Sequence, residues 1–224
     1  MRPSRRAATL FLALEAVLYA AFLALDLSVG GRGSNPIKYV GILLCLGWSL
    51  HLLSRGGSRL VPAALALTAL ADVFLLLLDM DYALGILLFC AVQGLYFVRI
   101  VRGGGRSLWP LRAVLFVLSL AALKLLDLLI PLNVLALFYF THFFCNALAS
   151  LSCSGRSMRL FSIGLWLFLC CDVCVGLFQN PQLVPPAVSA FASVGMWLFY
   201  LPAQVLIALS GANPSSGGFS HEAK

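Results

Sequence analysis

Apolar runs of about twenty residues recur from one end of the chain to the other, and polar residues fall mostly in the short stretches between them. Within each run the apolar positions are continuous. A β-barrel strand would alternate apolar and polar residues, whereas a lipid-embedded helix is apolar on all sides. Each run is long enough to cross a hydrocarbon core of ~30 Å as a helix. The pattern therefore predicts eight membrane-spanning helices, at about residues 8–27, 36–53, 60–78, 82–101, 108–130, 132–151, 160–178 and 187–210. The connections are short. Residues 1–210 read as one transmembrane domain and 211–224 as a disordered tail. The expected fold is all-α: a polytopic membrane protein built as an eight-helix transmembrane bundle.

Composition carries the same message. Hydrophobic residues make up 62% of 224, charged residues 10%, and mean hydropathy is +1.00. A soluble domain of this length has too little interior to hide so much apolar surface. The basic, then apolar, start imitates a secretory signal. Its apolar part is long and no small-residue cleavage site follows, so it reads as a retained first helix.

The net charge of +7 matters through its placement. Arg2, Arg5 and Arg6 precede the first span, and Arg55 and Arg59 lie between the second and third. Arg99, Arg102, Arg106 and Arg112 surround the glycines after the fourth, and Arg156 and Arg159 precede the seventh. The alternate loops hold Arg32 and Lys38, then Asp79 and Asp81, then an uncharged stretch. Cytoplasmic loops carry the arginine excess, so both termini are expected in the cytoplasm of a multi-pass cell-membrane protein. Topology accounts for the basic charge, and no nucleic-acid partner is implied.

All seven cysteines (Cys45, Cys90, Cys145, Cys153, Cys170, Cys171 and Cys174) lie in or beside apolar spans, where cysteine behaves as a small hydrophobe. The run CCDVC lacks a second cluster at metal-ligand spacing, with His142 its only distant partner, so no metal or other cofactor is expected. No phosphate loop, nucleophile elbow or zinc-protease motif is present.

The acids singled out within the spans are Glu15, Asp72, Asp127 and Asp172. Asp127 follows Lys124 by three residues, a spacing that allows a local ion pair on one helix face. Glu15 reads as a helix–helix contact. Asp72 and Asp172 are central, with no nearby cation in the sequence. Each stands thirteen positions after an arginine, Arg59 or Arg159, that marks a membrane surface. At 1.5 Å per residue both carboxylates lie ~20 Å along their helices from that surface. The third and seventh spans thus suggest a weak internal repeat of four spans plus four. An intramembrane acid is a candidate for function, and interhelical hydrogen bonding is the structural alternative.

A polar stripe completes the picture. Tyr139, His142 and Asn146 follow one another at three- and four-residue steps along one face of the sixth span, with Ser150 beyond them. Gln93 and Tyr96 on the fourth span, and Tyr200 and Gln204 on the eighth, add polar groups at one-turn spacing. Together they are expected to line a chamber suited to a lipid head group or a small polar solute.

Three stretches resemble the motifs of the YhhN-type membrane proteins, the lysoplasmalogenase family. The first carries Ala71, Asp72, Asp81, Tyr82, Gly85, Phe89, Gln93 and Tyr96. The second is Cys171 and Asp172, and the third is Tyr200, Ala203, Gln204, Leu206 and Ile207. Asn35 and Pro36 resemble an altered form of the family's early Lys-Pro motif. Gln93 stands where the family usually has histidine, and Cys171 where it has serine or glycine. The resemblance implies hydrolysis of the alkenyl ether of a lysoplasmalogen, a lipid substrate, to a fatty aldehyde and a glycerophospho-ethanolamine or -choline. It implies Asp72 and Asp172 as the catalytic pair. Gln93, Tyr96, Tyr139, His142, Asn146, Tyr200 and Gln204 are the expected substrate contacts. One carboxylic acid, kept protonated by burial, supplies a proton to the vinyl carbon, and the other carboxylate stabilises the oxocarbenium ion and prepares water. Two readings compete: a small-solute or proton and cation transporter using the same acids as a relay, and a structural protein without an active site.

Overall fold

The computed structural model describes residues 4–28 and 33–212. Arg2, Arg32 and the expected tail beyond Ala212 lie outside the described residues. Those described are helical between short turns and contain no strand. The helices are α1 (Arg5–Ser28), α2 (Asn35–Ser54), α3 (Leu60–Asp72), α4 (Tyr82–Arg102), α5 (Trp109–Leu125), α6 (Pro131–Ser150), α7 (Arg156–Gln179) and α8 (Pro186–Leu209). A π-helical segment, Val73–Leu78, continues α3. Proline opens α2, α5, α6 and α8, where its missing N–H costs no hydrogen bond.

Seven helices, α3 with its π extension among them, are long and apolar enough to cross a membrane. The eighth, α5, falls short of the expected span. It ends at Leu125, and the chain turns through Asp127 at φ 57°. That turn also removes the expected Lys124–Asp127 pair. The i, i+3 spacing brings two side chains together only while the helix continues. Here the Asp127 N–H instead donates to the Lys124 carbonyl at 3.3 Å.

Packing repeats through the two halves. α1 packs on α2 as α5 packs on α6, α2 on α3 as α6 on α7, and α3 on α4 as α7 on α8. The α2–α8 contact is matched by α6–α4. α8 packs along α7, α2, α1 and α3. Small residues allow its close approach to α7. A Cβ on Gly164 would stand 2.9 Å from Ile207 Cγ1 and 3.1 Å from the Ala203 carbonyl, and one on Gly195 would stand 2.9 Å from Cys174 Sγ. Membrane helices associate through such small-residue seams because lipid supplies no hydrophobic drive between them.

Pro202 lies inside α8 and cannot donate to the carbonyl four residues earlier. In a membrane that carbonyl has no water to turn to. Tyr19 of α1 supplies the missing donor, its hydroxyl bonding the Leu198 carbonyl at 3.0 Å. The same contact fastens α1 to α8.

Candidate functional site

α3 delivers Asp72 to the centre of the bundle, 4% exposed. The Tyr200 hydroxyl of α8 donates to Asp72 Oδ2 at 2.7 Å. Immediately beyond Asp72 the helix widens into its π segment. Single π turns occur often at functional sites. This one is held by Asn35, whose Nδ2 donates to the Leu76 carbonyl at 2.9 Å. Met80 N–H donates to the Phe74 carbonyl at 3.0 Å, and the chain then passes through Asp79 and Asp81 at φ 50° and 51°. Asn35, one half of the altered early motif, therefore supports the helix end that carries Asp72.

α7 delivers Asp172 by an unbroken α-helix. The Tyr139 hydroxyl of α6 donates to Asp172 Oδ2 at 2.5 Å. Asp172 is only partly buried. α3 and α7 share no extensive seam, and aromatic rings connect the two acid–tyrosine pairs. The Phe168 ring lies 5.3 Å from that of Tyr200, 4.9 Å from Phe143 and 5.7 Å from Phe89. Phe143 and Phe89 in turn lie 5.8 and 5.9 Å from Tyr139.

The other expected contacts separate into two groups. Gln93, Asn146 and Arg112 form one network. Asn146 Nδ2 donates to the Gln93 carbonyl at 2.9 Å and to its Oε1 at 3.0 Å, while Arg112 Nη2 donates to Asn146 Oδ1 at 2.7 Å. His142 stands at the edge of this network. Its carbonyl accepts from Arg112 at 3.0 Å, and its ring packs on Phe138 and Trp109, toward α5. The second group has unspent hydrogen-bonding capacity. Tyr96 Oη, Gln93 Nε2 and both polar atoms of the Gln204 amide are buried without a partner, and so is Oγ1 of Thr68, one turn before Asp72. Buried polar atoms are almost always paired, so each of these needs an explanation.

Several polar residues escaped the sequence reading. Asp26, at the end of α1, pairs with Lys38 of α2 at 2.8 Å. Lys38 is 3% exposed and lies over the Trp197 ring at 4.3 Å, so it is a buried lock between α1, α2 and α8 rather than a loop charge. Ser34 also donates to Asp26. Arg99 and Arg112, expected among the surface arginines, are 6% and 2% exposed. A signal existed for Arg99. It follows Gln93 and Tyr96 at three-residue steps, on the same helical face. Glu15 makes the expected helix–helix contact, accepting from Cys45 Sγ at 3.2 Å.

Fold and site together define a polytopic α-helical membrane protein with two tyrosine-bonded carboxylates inside its bundle. The chain belongs to the YhhN family, which includes lysoplasmalogenases; the family model matches residues 34–211. That match spans α2 to α8 with both aspartates and the seven polar residues above. No curated protein and no solved structure matches the chain.

Proposed function

We propose that this protein hydrolyses the alkenyl ether of lysoplasmalogens, with Asp72 and Asp172 as its acid pair. The observation that carries the reading is the pairing of each intramembrane aspartate with a tyrosine hydroxyl, in a chain of this family. Each hydroxyl occupies one oxygen of its carboxyl group and fixes its orientation, leaving the other oxygen for substrate or water.

The chemistry follows from the bond. A vinyl ether is basic at its β-carbon. The carboxylic acid of Asp72 transfers its proton there, and the electron pair of the ether oxygen makes an oxocarbenium ion. Asp172, the more open of the two, stabilises that cation and takes a proton from an incoming water, whose oxygen bonds to the cationic carbon. The resulting hemiacetal collapses to a fatty aldehyde and a free glycerol hydroxyl. The sum is substrate plus one water. A glycosidase pair handles an oxocarbenium-like state with the same division of labour. The unpartnered amide of Gln204, the Tyr96 hydroxyl and the Gln93 Nε2 supply donors and acceptors for the polar head, while the lipid chain stays among apolar side chains.

The test is direct. Detergent-purified protein is mixed with a lysoplasmalogen and with the matching lysolipid whose ether is saturated. Aldehyde is expected from the first alone. No aldehyde from either, together with proton or cation flux in liposomes, would replace this reading with a transporter.

A further inference from the structure

We propose that the arginine-rich end of the bundle contains a second binding site, for a phosphate group, distinct from the aspartate site. A cavity of ≈ 330 Å³ opens there. It is lined by Gly56, Gly57 and Ser58 from the turn before α3, by Ser154 and Gly155 from the turn before α7, by Ser157 in the first turn of α7, and by Arg99.

Arg99 supplies the charge. Its side chain is 6% exposed and packs over the Phe161 ring at 4.3 Å. Nη2 donates to the Ser210 carbonyl at 2.6 Å and to Ser157 Oγ at 3.3 Å, while Nη1 is buried without a partner. Both Nη2 acceptors are neutral, and among the described residues the lining contains no aspartate or glutamate. Asp26, Asp79, Asp81 and Asp127 all belong to turns and helix ends at the opposite face of the bundle. A buried cation with no counter-charge is costly, and an anion that reaches it recovers that cost.

The backbone around the cavity suits an anion as well. α7 begins beside it, and the first N–H groups of a helix lack intrahelical partners and carry partial positive charge. On the α3 side the N–H groups of Gly56, Gly57 and Ser58 already donate to the carbonyls of Leu53, Leu52 and Gly211. The two turns are related. Ser54, Arg59 and Leu60 recur as Ser154, Arg159 and Leu160, one hundred positions later. The cavity thus lies where equivalent turns of the two halves meet. Gly57 closes this meeting point; a Cβ there would stand 2.6 Å from the Gly211 carbonyl. The Arg99 guanidinium, the hydroxyls of Ser58 and Ser154 and the start of α7 form a many-donor set that matches the several oxygens of a phosphate better than a single carboxylate, while the Ser157 hydroxyl is spent on the Ser210 carbonyl at 2.5 Å.

This site is not the head-group end of the aspartate site. Twelve residues separate Leu60 from Asp72, about 18 Å of helix rise, and a three-carbon glycerol does not reach across that. The ligand is a separate phosphate, of a membrane lipid head group or of a soluble ester.

The experiment follows the melting temperature of the full chain in two arms. In detergent, inorganic phosphate is titrated against potassium chloride at equal ionic strength. In nanodiscs, phosphatidylcholine with phosphatidic acid is compared with phosphatidylcholine alone. At about ten times Kd, binding is expected to raise the melting temperature by roughly 3–6 °C. A rise in detergent assigns a soluble ligand, and a rise confined to the phosphatidic acid discs assigns a lipid. Ser154→Asp places a negative charge at an exposed position on the cavity rim, and Arg99→Gln removes the cation; both are expected to lose most of the rise. If Arg99→Gln fails to fold, because it also caps the end of α8, Ser154→Asp decides. No rise in either arm, or an undiminished rise in Ser154→Asp, overturns the proposal. Neither outcome bears on aldehyde release, so the two readings fail separately.

Discussion

The two aspartates occupy equivalent places in the sequence and unlike places in the molecule. Tyr39 stands thirty-three positions before Asp72, and Tyr139 thirty-three before Asp172. Asp172 takes the hydroxyl of Tyr139, on the preceding helix α6. Asp72 passes over the equivalent Tyr39 and takes Tyr200 from α8. Asp172 lies in a regular helix and is partly exposed, while Asp72 is enclosed and is followed by a π turn. A repeat in register therefore does not make a repeat in environment. α8 breaks the symmetry, because it packs on α1, α2, α3 and α7 and brings its own tyrosine to the centre.

Under the proposed function the unequal surroundings go with unequal roles, and substitutions sharpen or break that comparison. The largest effect is expected at the acids. Asp72→Asn and Asp172→Asn keep size and much of the hydrogen bonding, and each should slow aldehyde release by at least ~100-fold with the melting temperature little changed. Activity retained in either protein, or lost only along with thermal stability, would make that acid structural.

Next come the tyrosines. Tyr139→Phe and Tyr200→Phe each remove one hydrogen bond to a carboxyl group, a loss on the order of tenfold in rate. Tyr39→Phe is the matched comparison, since half-buried Tyr39 shares the register and lies within electrostatic reach of Asp72 but makes no hydrogen bond to it, and its loss of rate is expected to be smaller than that of Tyr200→Phe. Equal losses at Tyr39 and Tyr139 would restore the symmetry that the structure denies.

A smaller effect concerns stability alone. Tyr19→Phe leaves the Leu198 carbonyl without the donor that stands in for the missing Pro202 N–H. Polar contacts between membrane helices are worth about 1 kcal/mol, which thermal denaturation of the purified protein resolves. An unchanged melting temperature would show that α8 satisfies this carbonyl by another route.

How much of this was legible in the sequence depended on the kind of signal. The helices were legible because membrane thickness sets a length that apolar runs must meet. The fifth was overextended because Leu128, Leu129 and Ile130 are as apolar as a helix, while the turn that ends it is set by backbone conformation at Asp127. The aspartates stood out as isolated charges, and their tyrosines as polar residues at helical spacing. The partnership of Asp72 with Tyr200 did not, since it links residues 128 apart through the packing of α8. Arg99 and Arg112 were read as surface markers because a charge rule describes loops, and both lie in helices near the membrane edge where a long side chain can turn inward. The π segment after Asp72 left no trace in an unbroken run of apolar residues, because its cause lies partly in Asn35, a different helix.

The central claim is that a carboxylic acid in this bundle protonates carbon. Hydrolysis in deuterium oxide, with the aldehyde trapped by borohydride as it forms, reads that step directly by mass spectrometry. The account predicts one deuterium on the carbon adjacent to the former aldehyde carbon, in the wild-type product. Aldehyde released without deuterium at that carbon would contradict it.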